Sequence, residues 1–279
     1  MTRAQDIRLI LTDIDGTILP YGQTCVSDRT RRAFHAAQAA GIHVGPASGR
    51  GFSHIPVSFD GDGDCSATCL ATNGMQVFLD GRLVHQELLP REPLVAMARH
   101  LRDMPHAGLI CFEDGVPLMV VGDVADLEES FPLYARESRR VDEVPAHDIE
   151  KANVFVSGTM EDTRRVLERL VAVTNGVGLN LPMRGFLNVT PVGWSKASGI
   201  DVLCDAMGIT LEQVVVFGDG GNDVEMLAHV PNSVAVEGAA PEARAAARWH
   251  IGRCEDEAVA AAIEALTAGR WPFADVGRD

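Results

Sequence analysis

"LILTDIDGTIL", Leu9 to Leu19, is an apolar run broken by two aspartates one residue apart. A short continuous apolar run reads as a buried strand, and two carboxylates at its end need partners. Asp13 and Asp15 fall where that strand ends, and Gly16 permits a turn. In an extended chain, residues i and i+2 point to the same side, so both carboxylates can face one crevice. Open α/β sheets bind ligands at the carboxyl ends of their strands. One acid could attack while the other moves a proton. Taken alone, the pair could equally be a turn and a cap.

The chain around this stretch alternates strand and helix signals. "SDRTRRAFHAAQAAG" opens with Ser27 or Asp28 as a cap and stops at Gly41, which predicts a helix. "IHVGPAS" and "ATCLATNG" read as strands, and "QVFLDGRLVHQ" as a hairpin turning at Asp80-Gly81. Towards the C-terminus, "KASGIDVLCDAMG" predicts a helix ending at Gly208, "EQVVVFGD" a strand and "NDVEMLAHV" a short helix. "SVAVE" then reads as a strand, "PEARAAARW" as a helix opened by Pro241, and "EDEAVAAAIEALTAG" as a final helix. Strand–helix–strand order with apolar strands implies a parallel sheet covered on both faces. The middle holds two helices and several strands at hairpin-like spacing, an α+β unit of its own.

More strands end in polar clusters. "HVGPASGR" ends in Ser48, Gly49 and Arg50, and a serine there can donate to a phosphate oxygen while a following helix N-terminus adds N–H groups. The same serine could be an ordinary helix cap. "VVVFGDGGNDVEML" crowds Asp219, Asn222 and Asp223 into a glycine-rich turn, and clustered carboxylates suit Mg2+ with a substrate phosphate. Lys196 opens its helix, and beside a carboxylate nucleophile it would offset charge.

Composition narrows the partners. The 279 residues carry 24 Lys and Arg against 39 Asp and Glu, a formal charge of −15, and 46% of them are hydrophobic. That balance argues against a nucleic-acid footprint and against attraction to an anionic membrane. No signal-peptide h-region or membrane-length apolar stretch is found, so a soluble, cytoplasmic protein is expected. The six scattered cysteines read as small buried hydrophobes or free thiols, and Cys65 and Cys69 lack the second pair that a zinc site needs. "SFDGDGDCS" mimics the start of a calcium loop at Asp60, Asp62 and Asp64. Cys65 stands where that loop needs glycine and Ala71 where it needs glutamate, so residues 58–65 are expected to be a mobile acidic surface loop.

In order, "DIDGT", "SGR", Lys196 and "GDGGND" resemble the four motifs of haloacid dehalogenase superfamily phosphatases, Cof-type sugar-phosphatase-like branch. "ATNG" resembles the segment preceding the large cap of that branch. The resemblance covers nearly the whole chain and implies a Rossmann-like α/β core, residues 1–81 and 186–279, with an inserted α+β cap (C2B type), residues 82–185. It implies Asp13 as nucleophile, Asp15 as general acid/base, and Lys196 as a catalytic cation. Thr17, Ser48, Gly49, Arg50 and Asn222 would bind phosphate. Asp13, Asp15 through its backbone carbonyl, Asp219 and Asp223 would hold Mg2+. The implied reaction is hydrolysis of a small phosphorylated metabolite, a sugar phosphate above all, through an aspartyl-phosphate. A phosphomutase on the same core and a non-catalytic phosphate-ligand binding protein are the alternatives. In the cap, Arg184, Arg136 and Glu113 are candidates to meet a polar leaving group.

Overall fold

The computed structural model describes residues 4–273. The first segment runs β1 (Leu9–Thr12), α1 (Asp28–Ala39), β2 (His43–Pro46), β3 (Cys69–Ala71), β4 (Gln76–Leu79) and β5 (Arg82–Gln86). The middle adds α2 (Arg91–Leu101), β6 (Ala107–Glu113), β7 (Val116–Val121), α3 (Val124–Ser130) and α4 (Pro132–Glu137). It continues through β8 (Arg139–Arg140), β9 (Lys151–Val156), α5 (Met160–Val173), β10 (Val177–Met183) and β11 (Phe186–Pro191). The last segment holds α6 (Lys196–Met207), β12 (Val214–Gly218), α7 (Val224–His229), β13 (Asn232–Glu237), α8 (Pro241–Ala246), β14 (Trp249–Arg253) and α9 (Ala258–Thr267).

Two compact units result. One takes the chain through Gln86 and again from Ser195, and the other is Glu87–Trp194. The unit boundaries thus fall several residues beyond 81 and 185. β5 stays with the first unit because it is hydrogen-bonded to β4, and β11 stays with the second because it pairs with β9 and β10.

The first unit is built on a parallel five-stranded sheet, ordered β14-β13-β12-β1-β2. β1, β12 and nearly all of β13 are buried on both faces, as their apolar pattern requires, while the edge strand β14 is partly exposed. Leu9 and Leu11 of β1, with Val214 and Val216 of β12, pack on one side with Ile200 and Leu203 of α6. Ile10, Val215 and Phe217 pack on the other with Phe34 of α1 and Ile263 of α9. β1 lies between β2, the edge strand that follows it in sequence, and β12, the central strand. That is a switch point, where ligands bind in open α/β sheets.

The helix ends follow the expected chemistry. Ser27 caps α1 by accepting the Thr30 N–H, and α6 ends on Gly208 in the left-handed conformation. The second unit has a six-stranded sheet, ordered β10-β11-β9-β6-β7-β8, mostly antiparallel. It carries the two expected helices, α2 and α5, and two short ones, α3 and α4. No helix among the described residues is long and apolar enough to cross a membrane.

Two local expectations are corrected. α8 stops at Ala246, Ala247 turns extended, and Trp249 opens a further strand that pairs with β13. Residues 58–65 are not a loose loop either. The chain from Phe52 to Ser66 winds through three short 3-10 turns, and Ser58, Phe59 and Cys65 are fully buried. The Phe59 ring packs on Phe34, 5.4 Å between centroids, so the acidic stretch is anchored from below.

Candidate active site

Backbone register sets the site. Asp13 continues the β1 ladder by donating its N–H to Phe217 O, which brings it beside Gly218 and Asp219 at the end of β12. Asp13, Asp219 and Asp223 are each less than a tenth exposed, and their carboxylate oxygens lie within 4.8 Å of one another. Lys196, fully buried, donates from Nζ to Asp13 Oδ1 and Asp223 Oδ1, both at 2.6 Å. Asp223 Oδ2 accepts the N–H groups of Asp219 (3.0 Å) and Gly220 (2.9 Å). Asp223 therefore ties the turn after β12 to the lysine.

The electrostatics follow from that crowding. Burial raises the Asp13 carboxyl well above its ordinary range, Lys196 opposes the rise, and Asp223, Asp219 and Asp15 add to it. Burial, then Asp223, pushes Asp219 up to about 6. Burial would pull the Lys196 ammonium down, but Asp13 and Asp223 outweigh it and hold the amine charged. Three buried carboxylates share one lysine, an excess of negative charge that a divalent cation offsets. The donors are all oxygen, which suits a hard cation, so the residues fit a Mg2+ ion.

The helix that carries Lys196 is seated by two glycines. A Cβ at Gly199 would meet Gly74 Cα at 2.9 Å, and one at Gly74, whose φ is +84°, would meet Ser195 O at 2.9 Å. Only glycine on both sides allows the start of α6 to lie against the segment after β3. Gly16 is constrained in the same way, with a Cβ only 2.4 Å from Asp219 Oδ2.

The remaining expected residues take definite places. The Asp15 carboxylate lies in the fork of Arg50, with Nε to Oδ2 at 3.0 Å and Nη2 to Oδ1 at 2.6 Å. It is outside the three-carboxylate cluster. Arg50 also donates from Nη1 to Ser58 Oγ at 2.8 Å. Thr17, buried, donates to Asp219 Oδ1 at 2.6 Å and so orients a carboxylate of the cluster. Ser48 is buried at the end of β2, and its Oγ accepts the Arg50 N–H at 3.2 Å. Gly49 and Arg50 form a bend there, and the next element is a 3-10 turn, Phe52–His54, not the α-helix N-terminus expected. In the other unit, Arg184 donates to Gly158 O, Glu113 lies 3.2 Å from His147, and Arg136 is exposed.

Two residues were not among those expected. Asn73 has φ +58°, follows Thr72 at φ +49°, and accepts the Asn222 amide on its Oδ1 at 3.0 Å. Its own N–H donates to Ser48 O, so Asn73 joins the turn after β2 to the turn after β12. Asn adopts the left-handed region readily, whereas the β-branched Thr72 is strained there. The Asn-Gly pair in "ATNG" was the available signal. Tyr21 places its hydroxyl 3.4 Å from Asp219 Oδ2 although most of the residue is exposed.

The family model for haloacid dehalogenase-like hydrolases matches residues 10–263. The chain belongs to that family. It is an enzyme of the hydrolase class, with the α/β core and inserted α+β unit described above. The chain is 27% identical over 272 residues to the Escherichia coli 5-amino-6-(5-phospho-D-ribitylamino)uracil phosphatase YbjI, covering 96% of this chain and 98% of that one. It is 28% identical over 267 residues to an Enterobacter HMP-PP phosphatase, covering 90% and 93%. A solved HAD subclass IIB sugar phosphatase shares the fold, with a TM-score of 0.79 at 23% identity and coverage of 92% and 98%.

Proposed function

We propose that this hydrolase is a Mg2+-dependent phosphomonoesterase acting on a small phosphorylated metabolite of the sugar- or polyol-phosphate class. The observation that carries the reading is Asp13, buried at a strand end with Lys196 on one oxygen and the Asp219–Asp223 pair beside it. The names of the relatives support it, since YbjI and the Enterobacter protein are phosphatases of small phosphorylated compounds.

Asp13 Oδ2 attacks phosphorus while Lys196 holds Oδ1, which fixes the carboxylate and leaves one oxygen to react. The bond from phosphorus to the ester oxygen breaks, and Asp15, which must leave the Arg50 fork to carry a proton, gives that proton to the ester oxygen. Asp15, now a carboxylate, takes a proton from a water molecule. That water attacks the aspartyl-phosphate, freeing Asp13 and inorganic phosphate. Arg50 holds Asp15 as a carboxylate before substrate enters, and Ser48 with Lys196 would bind the transferring group. Asp13, the Asp15 carbonyl, Asp219 and Asp223 would hold Mg2+, which supplies the positive charge that lets a carboxylate approach a phosphate. Thr17 and Asn222 are assigned to positioning Asp219 and the Ser48 turn. The inserted unit Glu87–Trp194 falls in sequence between Arg50 and Lys196, and substrate selection is assigned to it.

The test is hydrolysis of p-nitrophenyl phosphate and a panel of sugar phosphates with Mg2+, comparing the natural chain with Asp13→Asn. Turnover that survives Asp13→Asn overturns the mechanism. Absence of phosphate release from every ester, with binding intact, overturns the enzymatic reading. A requirement for a bisphosphate without net release would mark a mutase.

A further inference from the structure

The segment from Ser58 to Cys65 has no role in the chemistry above, yet it is held against α1 at three levels. Along α1, Arg31, His35 and Gln38 lie at i, i+4 and i+7, one face of the helix. Opposite them, Arg31 Nη1 lies 3.8 Å from Asp60 Oδ2, and Gln38 Nε2 donates to Asp64 O at 2.7 Å. Between those contacts, Asp62 Oδ2 lies 2.7 Å from His35 Nε2, and Cys65 Sγ lies 3.9 Å from that same nitrogen. The loop reverses through Asp60 at φ +58° and Gly61 at φ +80°, which returns Asp62 towards the helix. The Phe59–Phe34 packing beneath it fixes the turn.

One imidazole nitrogen, one carboxylate oxygen and one thiol sulfur, from two segments, therefore converge with all three ligand atoms within 4.8 Å. Tetrahedral zinc with bonds of about 2.0–2.3 Å needs its ligand atoms roughly 3.3–3.8 Å apart. The His35–Cys65 pair already stands near that distance, and the His35–Asp62 pair reaches it by opening less than about 1 Å. Cys65 is buried while the side chains of His35 and Asp62 are 44% and 23% exposed, so the open side is the solvent side, where water can complete the set.

We propose that His35, Asp62 and Cys65 form a second metal site, for a zinc-class cation, that clips the 58–65 segment to α1. It differs from the oxygen-only cluster in donor type, and a thiolate with an imidazole selects zinc-class ions over Mg2+. Burial, then the Asp62 charge, pushes the Cys65 thiol up to about 12, so binding displaces its proton to solvent and strengthens as pH rises. The clip bears on the segment whose Ser58 accepts from Arg50, but Cys65 and His35 touch none of the groups assigned to phosphate chemistry.

The experiment is a Co2+ titration of the full chain in excess Mg2+, read by the thiolate-to-cobalt charge-transfer absorption. One equivalent that develops the band and is displaced by Zn2+ is expected. Cys65→Ser should abolish the band, Cys69→Ser should keep it, and His35→Ala should weaken binding on the order of 100-fold. If Cys65→Ser does not fold, Asp62→Asn and His35→Ala decide by their weakened Co2+ affinity. A band that is absent in the natural chain, or unchanged in Cys65→Ser or in both other variants, overturns the proposal. Phosphate release by Cys65→Ser in Mg2+ is read in parallel, so loss of the metal site and failure of the phosphatase reading remain separate results.

Discussion

Two convergences of ligand atoms stand within one α/β unit, and they are built from opposite materials. At the ends of β1 and β12, three aspartates of low exposure are braced by a buried lysine and by backbone N–H groups. Beside α1, one histidine, one aspartate and one buried cysteine meet near the surface, braced by packing beneath and by the outlying Arg31 and Gln38 contacts. The first arrangement concentrates negative charge in low dielectric, where it is useful for binding a cation and a phosphate together. The second carries less charge and softer donors, which suits a structural ion. Local donor chemistry, not mere proximity of ligands, separates the two.

The comparison breaks most sharply at Asp13. Asp13→Asn should lower kcat/KM for any phosphate ester on the order of 10^4-fold or more, since nothing else supplies the nucleophile. The fold, measured by circular dichroism, and the Co2+ band at Cys65 should both survive. Loss of the band along with activity would show that the two clusters are not independent.

Lys196 gives the next largest effect. Lys196→Met removes the one cation buried among Asp13 and Asp223, leaving them uncompensated. A loss of about 3–5 kcal/mol in urea unfolding is expected, along with a large fall in kcat. Added Mg2+ should restore part of that stability. No rescue by Mg2+ would mean that the carboxylates do not hold the ion.

The pH dependence of Mg2+ stabilisation comes third. Asp13 and Asp219 have raised pKa values in the metal-free fold, Asp219 to about 6. A carboxyl raised by folding contributes stability that is present below its unfolded pKa and lost as pH rises through its folded one. The metal-free protein therefore loses the Asp219 part of this contribution between about pH 4 and pH 6, and Mg2+ compensates for it above that range. The Tm difference between Mg2+ and EDTA should be larger at about pH 7.5 than at about pH 5. An equal difference at both would place the ion elsewhere.

How much of this was legible without the fold depends on distance along the chain. Asp13, Asp15, Lys196, Asp219 and Asp223 were legible because each is a polar residue where an apolar strand ends or a helix starts. Thr17, Arg50 and Asn222 could be named but not understood. Their partners, Asp219, Asp15 and Asn73, lie 202, 35 and 149 residues away. Tyr21 was invisible for the same reason, being 198 residues from Asp219. β14 was hidden because the alanine and arginine run from Pro241 is helical in propensity, and only pairing with β13 makes Trp249–Arg253 a strand. In the 58–65 segment the acidic residues are legible, but the anchoring of the stretch by buried Ser58, Phe59 and Cys65 is not.

The smallest effect is also the finest test of the contrast. In metal-free protein the His35–Asp62 pair is partly exposed, so its loss in His35→Ala should shift Tm by about 2 °C or less. Binding of Zn2+ to the folded chain alone adds stability, about 2.7 kcal/mol at a free concentration about a hundredfold above Kd. His35→Ala should forfeit most of that increment, so natural and variant chains that melt almost together in chelator should separate once Zn2+ is present. Mg2+ should not separate them, because the oxygen-only cluster is intact in both. Scans in chelator, Mg2+ and Zn2+ thus assign each ion to its own donors. A variant that stays with the natural chain in Zn2+ would reduce the surface cluster to an ion pair with a thiol beside it.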